Sequence, residues 1–252
     1  MEQFELLYIP VLLIGGFVAS VINVVAGGGS YLTLSILILA GLPPGVANGT
    51  NRIGILAGNL SSAAKFVRLG QIKRSDLWYF CLPAMLGGIA GAYLATQTAD
   101  RTLRVVLAVL MLFGSWTVIK KPDQSREKKV WAKNWTFPLF SGVGLYAGFI
   151  QAGTGFFSLA ASTLLGHDLK RGNAVKTVMN LSVTVPALAI FWGQSMVAWP
   201  AGLALAVGMG LGGLMGVKVS QESNPENLRK MVAAAILLSA VFVVYPLLNG
   251  PS

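Results

Sequence analysis

Ala26-Gly27-Gly28-Gly29-Ser30 interrupts the first apolar stretch of the chain, and Ala152-Gly153-Thr154-Gly155-Phe156 interrupts another 126 residues later. In a bilayer a backbone can leave the helix only where protein or water satisfies its freed N–H and C=O groups. Paired glycine interruptions at matching places in two halves point to a transporter and to its binding site.

The rest of the chain supports a membrane reading. Of its 252 residues, 54% are apolar and 11% charged, against roughly 25% charged in an ordinary soluble domain. Ten apolar segments can be marked, near 6–26, 30–41, 45–66, 77–96 and 102–119, then 136–152, 155–166, 172–192, 197–217 and 228–248. Those at 30–41 and 155–166 hold about a dozen residues, roughly 18 Å of helix, too short to cross unaided. They read as half-helices or re-entrant pieces. The expected fold is an all-α polytopic bundle. Residues 1–119 form a first repeat, 120–135 a cytoplasmic linker and 136–252 a second repeat, with a short helix after each glycine break.

Further matches keep the same order. Gly70-Gln71 answers Gly193-Gln194, Gly87-Gly88-x-x-Gly91 answers Gly212-Gly213-x-x-Gly216, and Leu103-Arg104 answers Leu228-Arg229. Charge sets orientation: cations at 65–76 and 120–133 place those loops in the cytoplasm, as Lys218 to Lys230 does its own stretch. Both termini and the tip near Asp100 then lie outside. Five segments per half make the repeats inverted, which puts a site at the midplane between them. Leu6 to Ile22 resembles a signal sequence, but Glu2 and Glu5 replace the basic flank, so it reads as the first membrane segment. The net charge of +10 is explained by these loops and implies no nucleic-acid partner. Trp78, Trp131, Trp135, Trp192 and Trp199 sit near segment ends, as an interfacial belt requires.

The segment after each break opens with polar residues: Asn48, Thr50, Asn51 and Arg52 in the first copy, Lys176, Thr177 and Asn180 in the second. Aligned on Ala47 and Ala174, Thr50 matches Thr177. Arg52 lies eight residues into its segment, about 12 Å along a helix. A cation inside a span is costly and marks a functional site by default; for Lys176, snorkelling to the nearby surface is the alternative. The nine Asp and Glu residues all lie in termini, loops or segment ends. That argues against a cation as cargo and for an anion, which supplies the missing negative charge. Helix N-termini at Gly28, Gly29 and Ser30, and at Gly153, Thr154 and Gly155, offer N–H groups and partial positive charge to it. The alternative for these glycines is tight helix packing. Gln151, Asn23 and Asn59 complete the neutral candidates, and His167 reads as a surface loop residue. Cys81, the lone cysteine, excludes a disulfide framework. No metal cluster, phosphate loop or Ser–His pair suggests an enzyme, and no cofactor is expected.

On the first break, on Gly45-Val46-Ala47-Asn48-Gly49-Thr50-Asn51 with Arg52, on Gly148 to Gly155, and on Gly172-Asn173-Ala174-Val175-Lys176, the chain resembles the sulfite exporter TauE/SafE family, also called the toluene-sulfonate uptake permease family. The resemblance covers essentially the whole chain. It implies a permease of the bacterial cytoplasmic membrane for sulfite, sulfonates, sulfoacetate or thiosulfate. Family members often carry a longer glycine run and a proline at the first break; here Ser30-Tyr31-Leu32 follows directly. An anion channel and a non-transporting membrane scaffold remain the competing readings. The expected partners are a small anion and the lipid bilayer. Oligomeric state stays open, a homodimer included, as do the choice of anion, direction and coupling.

Overall fold

The structure, a computed structural model, describes residues 8–25, 27–119 and 132–222. Most of the basic linker, the segment at 228–248, Trp131, the Leu228-Arg229 match and both termini lie outside the described residues.

Nine of the ten expected segments appear as helices, with no strand among the described residues. Helix α1 spans Tyr8–Val25, the short α2 Gly29–Leu39, and α3 Pro44–Arg68. A single turn, α4 (Arg74–Asp76), passes through a π-turn at Leu77–Cys81 into α5, Leu82–Thr96. Helix α6 follows at Asp100–Ile119. The second half gives α7 at Thr136–Phe149, the short α8 at Thr154–Leu164, α9 at Leu169–Gly193 and α10 at Trp199–Glu222. The two short helices have 11 residues each, and α3 and α9 have 25 each. Among the described residues, four helical stretches are long and apolar enough to cross a membrane: Tyr8–Val25, Arg74–Thr96, Lys170–Gly193 and Trp199–Glu222.

The ends of the long helices are chemically specified. Pro44 opens α3, where a missing N–H costs nothing, and Asp100 Oδ1 accepts the Gly45 N–H at 2.7 Å. Asp168 caps α9 in the ordinary way, its carboxylate accepting the Arg171 N–H at 2.7 Å. Both short helices stop at a left-handed glycine, Gly41 (φ 88°) and Gly166 (φ 83°), where a side chain would be strained. At the π-turn, Ser182 Oγ donates to the Cys81 carbonyl at 3.2 Å.

Small residues fix how the helices pack. A Cβ on Gly208 would fall 2.1 Å from the Leu13 carbonyl oxygen, and Gly212 and Gly216 face Phe17 and Val21, so α1 and α10 run parallel. Gly144 against Ala84 and Gly148 against Gly88 make α5 and α7 parallel. Gly54 meets Leu205 and Gly58 meets Met209, which sets α3 parallel to α10. Gly88 packs on Val183 while Ala95 clusters with Phe191, so α5 runs with α9. Gly49 touches Phe191 whereas Phe66 clusters with Ala174, so α3 and α9 are antiparallel. The glycines at 87, 88, 91, 212, 213 and 216 are thus contact points that admit close backbone approach. Helices α1, α3 and α10 point one way and α5, α7 and α9 the other, each half's first helix lying against the fourth main helix of the other half.

The burial pattern is that of a bilayer protein. Ile14, Val109, Leu203 and Leu211 are among the outward-facing side chains, Ile14 being 67% exposed, while Asn48, Thr50, Asn51, Arg52 and Lys176 are buried. One end of the bundle gathers Lys65, Arg68, Lys73, Arg74, Lys170 and Arg171. Exposed Trp78 and Trp135 lie toward that end, and exposed Trp192 and Trp199 toward the other.

Candidate functional site

The two glycine breaks meet. A Cβ on Gly155 would fall 2.1 Å from Gly27 Cα, and one on Gly27 would fall 2.3 Å from Gly155 Cα. Glycine is also demanded by conformation at Gly27 and Gly153, whose φ angles are 88° and 71°. The space a side chain at Gly153 would need is filled by the Tyr31 hydroxyl, and a Cβ on Gly29 would collide with the Ala19 carbonyl. Close packing therefore accounts for Gly29, Gly153 and Gly155 in this conformation.

Each break ends one helix and begins another. Helices α1 and α7 finish there with carbonyls that have no intrahelical partner. Helices α2 and α8 begin there at Gly28 and Gly153, neither of which supplies a side-chain cap. The two buried cations answer the carbonyl ends, each from the opposite half. Lys176 Nζ donates at 2.8 Å to the carbonyls of Asn23 and Val24 at the end of α1, and at 2.8 Å to Asn173 Oδ1. Arg52 donates to the carbonyls of Ala147 (3.4 Å) and Gly148 at the end of α7, and to Gln151 Oε1 at 3.3 Å. Asn48 Nδ2 adds a bond to the Phe149 carbonyl at 2.8 Å. The cations lie one helical turn out of register, since Lys176 aligns with Gly49 rather than with Arg52.

Lys176 is 1% exposed and has no free donor. It does not snorkel. Arg52 is fully buried beside Phe191, its guanidinium carbon 4.7 Å from the ring centre. Its Nε has no partner, and the Asn48 Oδ1, Asn51 Nδ2, Asn51 Oδ1, Asn59 Nδ2 and Asn180 Oδ1 atoms are likewise buried without one. The network continues from Gln151 Nε2 to Thr184 Oγ1 at 2.6 Å, and from that hydroxyl to the Asn180 carbonyl at 2.6 Å.

Other candidates are committed to bonds within the protein. Thr50 Oγ1 accepts the Ala198 N–H at 2.9 Å and braces the turn before α10. Thr177 Oγ1 donates to the Asn173 carbonyl at 2.9 Å, and Thr154 Oγ1 to the Gln151 carbonyl at 2.8 Å. Ser30 is buried, its carbonyl accepting from Thr33. The structure thus gathers Arg52, Asn48 and Gln151 at the end of α7, with Asn51 buried three residues after Asn48 on α3 and Lys176 at the end of α1, and turns the Thr50 hydroxyl toward Ala198.

A scan for polar residues misses Phe191, Tyr31 and Tyr146, which wall the breaks; Tyr146 Oη donates to the Ala152 carbonyl at 2.5 Å. Thr184 stands four residues after Asn180 and could have been found by helical spacing. His167 is half-buried rather than free on the surface: it packs edge-on to Phe80 at 5.5 Å, and its Nδ1 is buried and unpartnered. Burial holds its pKa below 6.5, and nearby Arg171 adds to that.

The charge balance follows. A helix N-terminus and C-terminus carry about +0.5 and −0.5 charge, so the broken helices nearly cancel. Arg52 and Lys176 then leave net positive charge. Among the described residues, the carboxylates Asp76, Asp100, Asp168 and Glu222 stand at helix ends, away from the breaks.

A family model described as Sulfite exporter TauE/SafE matches residues 12–243. The chain is similar to a probable membrane transporter protein of Haemophilus influenzae, 30% identical over 234 residues, covering 91% of this chain and 92% of the relative. It is 29% identical over 253 residues to the probable membrane transporter protein YfcA of Escherichia coli K12, covering 96% and 92%. It is 27% identical over 256 residues to the probable membrane transporter protein ORF9 of a Sinorhizobium species, covering 100% and 97%. No solved structure matches the chain.

Proposed function

The chain belongs to the sulfite exporter TauE/SafE family and is a membrane transporter of it, and from that premise we propose that it carries a small sulfur-containing or organic anion past the point where its two glycine breaks meet. The candidate cargoes are sulfite, a sulfonate, sulfoacetate and thiosulfate. Two buried cations beside four helix ends, without a carboxylate among the described residues there, are the observation that carries this reading. A net positive, buried site is neutralised most simply by an anionic ligand.

Inverted repeats supply the mechanism. The shared lengths of α2 with α8 and α3 with α9 support two copies of one unit. The opposite direction of α1, α3 and α10 relative to α5, α7 and α9 supports an inverted relation between them. Each half's cation holds the broken helix of the other, so rocking one half against the other alters both caps together. Arg52, Asn48, Asn51 and Gln151 hold the anion on one side of the contact, with Asn180, Asn59 and the starts of α2 and α8 on its path. Lys176 contributes through the field and the cap, since its donors are occupied. The basic end faces the cytoplasm of a bacterial inner membrane, and α1 starts from the outside.

The test is counterflow in proteoliposomes with labelled sulfite, thiosulfate and a sulfonate, using wild type, Arg52→Ala and Arg52→Lys. Counterflow of one anion that fails in Arg52→Ala and recovers in part in Arg52→Lys supports a carrier with this site. Flux without counterflow identifies a channel. No flux of any anion, or flux indifferent to Arg52, removes the site and leaves the scaffold reading.

A further inference from the structure

The atoms left unpaired around Arg52 constrain the protonation state of the ligand, on the premise that this site binds the transported anion. Asn48, Asn51 and Arg52 are at most 1% exposed. Spacings of three and four residues put Asn51 and Arg52 beside Asn48 on the surface of α3. Four atoms of this group are buried without a partner: Arg52 Nε, Asn51 Nδ2, Asn48 Oδ1 and Asn51 Oδ1. The orientation of Asn48 is fixed by its neighbour, because its Nδ2 donates to the Phe149 carbonyl and leaves the oxygen free. Buried polar atoms without partners are rare in native structures and call for a ligand or water.

These atoms are of two kinds. A guanidinium N–H and an amide N–H require acceptors, and two amide oxygens require donors. A fully ionised oxyanion has acceptors only. It would satisfy the two N–H groups and turn its lone pairs against the amide oxygens. We infer that the ligand held beside Arg52 is a singly charged oxyanion that still carries an O–H: hydrogen sulfite rather than sulfite, or a hydroxylated sulfonate rather than a plain one. Its ionised oxygens accept from Arg52 Nε and Asn51 Nδ2, and its O–H donates to an amide oxygen of Asn48 or Asn51.

Such a ligand brings its own proton. Released on the more alkaline side, hydrogen sulfite gives the proton to water or buffer, so one proton crosses with each anion and no carboxylate relay is needed. That fits a site whose nearest described carboxylates stand at helix ends.

The experiment uses wild-type proteoliposomes and two readouts. Initial rates of labelled sulfite are measured at constant total sulfite across the second ionisation of sulfurous acid. Competition by isethionate is then compared at one pH with its isostere 1-propanesulfonate, which lacks the hydroxyl. The expected rates follow the concentration of hydrogen sulfite, and isethionate competes roughly tenfold better, the penalty expected for one orphaned acceptor. Asn51→Leu removes atoms that bond nothing in the protein and, in protein shown to be folded by its thermal melt, narrows that preference. Rates that follow total sulfite or the dianion, with equal competition by the two sulfonates, overturn the inference. If an anion moves in an Arg52-dependent way under those conditions, the transport reading stands and only the protonation inference falls. If no anion moves, both fall together.

Discussion

Lys176 Nζ lies 2.8 Å from the carbonyl oxygen of Val24, the penultimate residue of α1, although the two belong to opposite halves of the chain. The cation thus closes a helix end that lipid could not solvate. Replacing it with Met keeps the length of the side chain and abandons the Asn23 and Val24 carbonyls. We expect Lys176→Met to lose about 2–4 kcal/mol of stability, the cost of two buried carbonyls left unpaired. Thermal unfolding in detergent measures this. An unchanged midpoint would mean that these carbonyls find other partners.

Gly155→Ala and Gly142→Ala separate packing from composition. The first drives a methyl to 2.1 Å from Gly27 Cα, where the atoms it meets are all Gly27 backbone and cannot yield, while the second meets nothing within 4 Å. Gly155→Ala should prevent a monodisperse protein or force the breaks apart and abolish flux. Gly142→Ala should be neutral or stabilise α7 by up to about 1 kcal/mol, the helix-propensity difference between the residues. Size-exclusion profiles of the two variants decide the matter, and equal behaviour would refute the contact.

At the basic end, Arg171 of α9 pairs with Asp76 at 2.5 Å and also bonds the Gln71 carbonyl, tying the loop after α3 to the start of α9. Asp76 is 2% exposed and Arg171 21%. A double-mutant cycle with Asp76→Asn and Arg171→Gln should show coupling of about 1–3 kcal/mol, the range for contacting charged partners. Arg171→Gln alone should cost more than Asp76→Asn, because it strands the more buried carboxylate without its cation and also frees the Gln71 carbonyl, whereas an Asn at 76 can still accept the Lys73 N–H, now 2.7 Å from Asp76 Oδ2. Additive single effects would show that the pair does not join the halves.

His167 gives this end a pH dependence. Its folded pKa is held below 6.5, first by burial and then by Arg171, with Lys73 acting in the same sense and Asp76 and Asp168 opposing. The unfolded chain therefore binds the proton more readily, so stability is complete above 6.5 and declines as pH falls below it. A melting series from pH 7.5 to 5 should show a decline that is smaller in His167→Gln, which has no proton to take up. Identical slopes would exclude His167 as its source.

Much of this architecture was legible because it is written locally. Two segments of a dozen residues after glycine breaks announce short helices, and α2 and α8 begin within two residues of the expected starts. Arg52 was legible for the same reason: a cation eight residues inside a span costs too much to be incidental. Its backbone partners were not, because the carbonyls of Ala147 and Gly148 are ordinary backbone about a hundred residues away, and no residue type marks a helix end that needs a cap. Lys176 was ambiguous because its distance from the basic loop fits snorkelling until α1 is known to end beside it. The bond from the Ala198 N–H to the Thr50 hydroxyl was not legible either, because the two residues lie 148 apart and the match to Thr177 carries no sign of it.

Gln151→Glu distinguishes a cation that only caps a helix from one that also binds cargo. Gln151 Oε1 already accepts from Arg52 at 3.3 Å, so a carboxylate there pairs with the guanidinium without rebuilding the site. The Thr184 hydroxyl, 2.6 Å from Gln151 Nε2, can turn to donate to the new oxygen. As a cap Arg52 is unharmed, and stability should hold or rise. As a binding group it is now neutralised, and an incoming anion meets a fixed negative charge in a low-dielectric setting, where like charges repel strongly. We expect anion flux to fall at least about tenfold, an effect of about 1.4 kcal/mol that a single close charge in such a setting exceeds. Unimpaired flux in a stable Gln151→Glu protein would confine Arg52 to capping α7 and move the anion's path elsewhere.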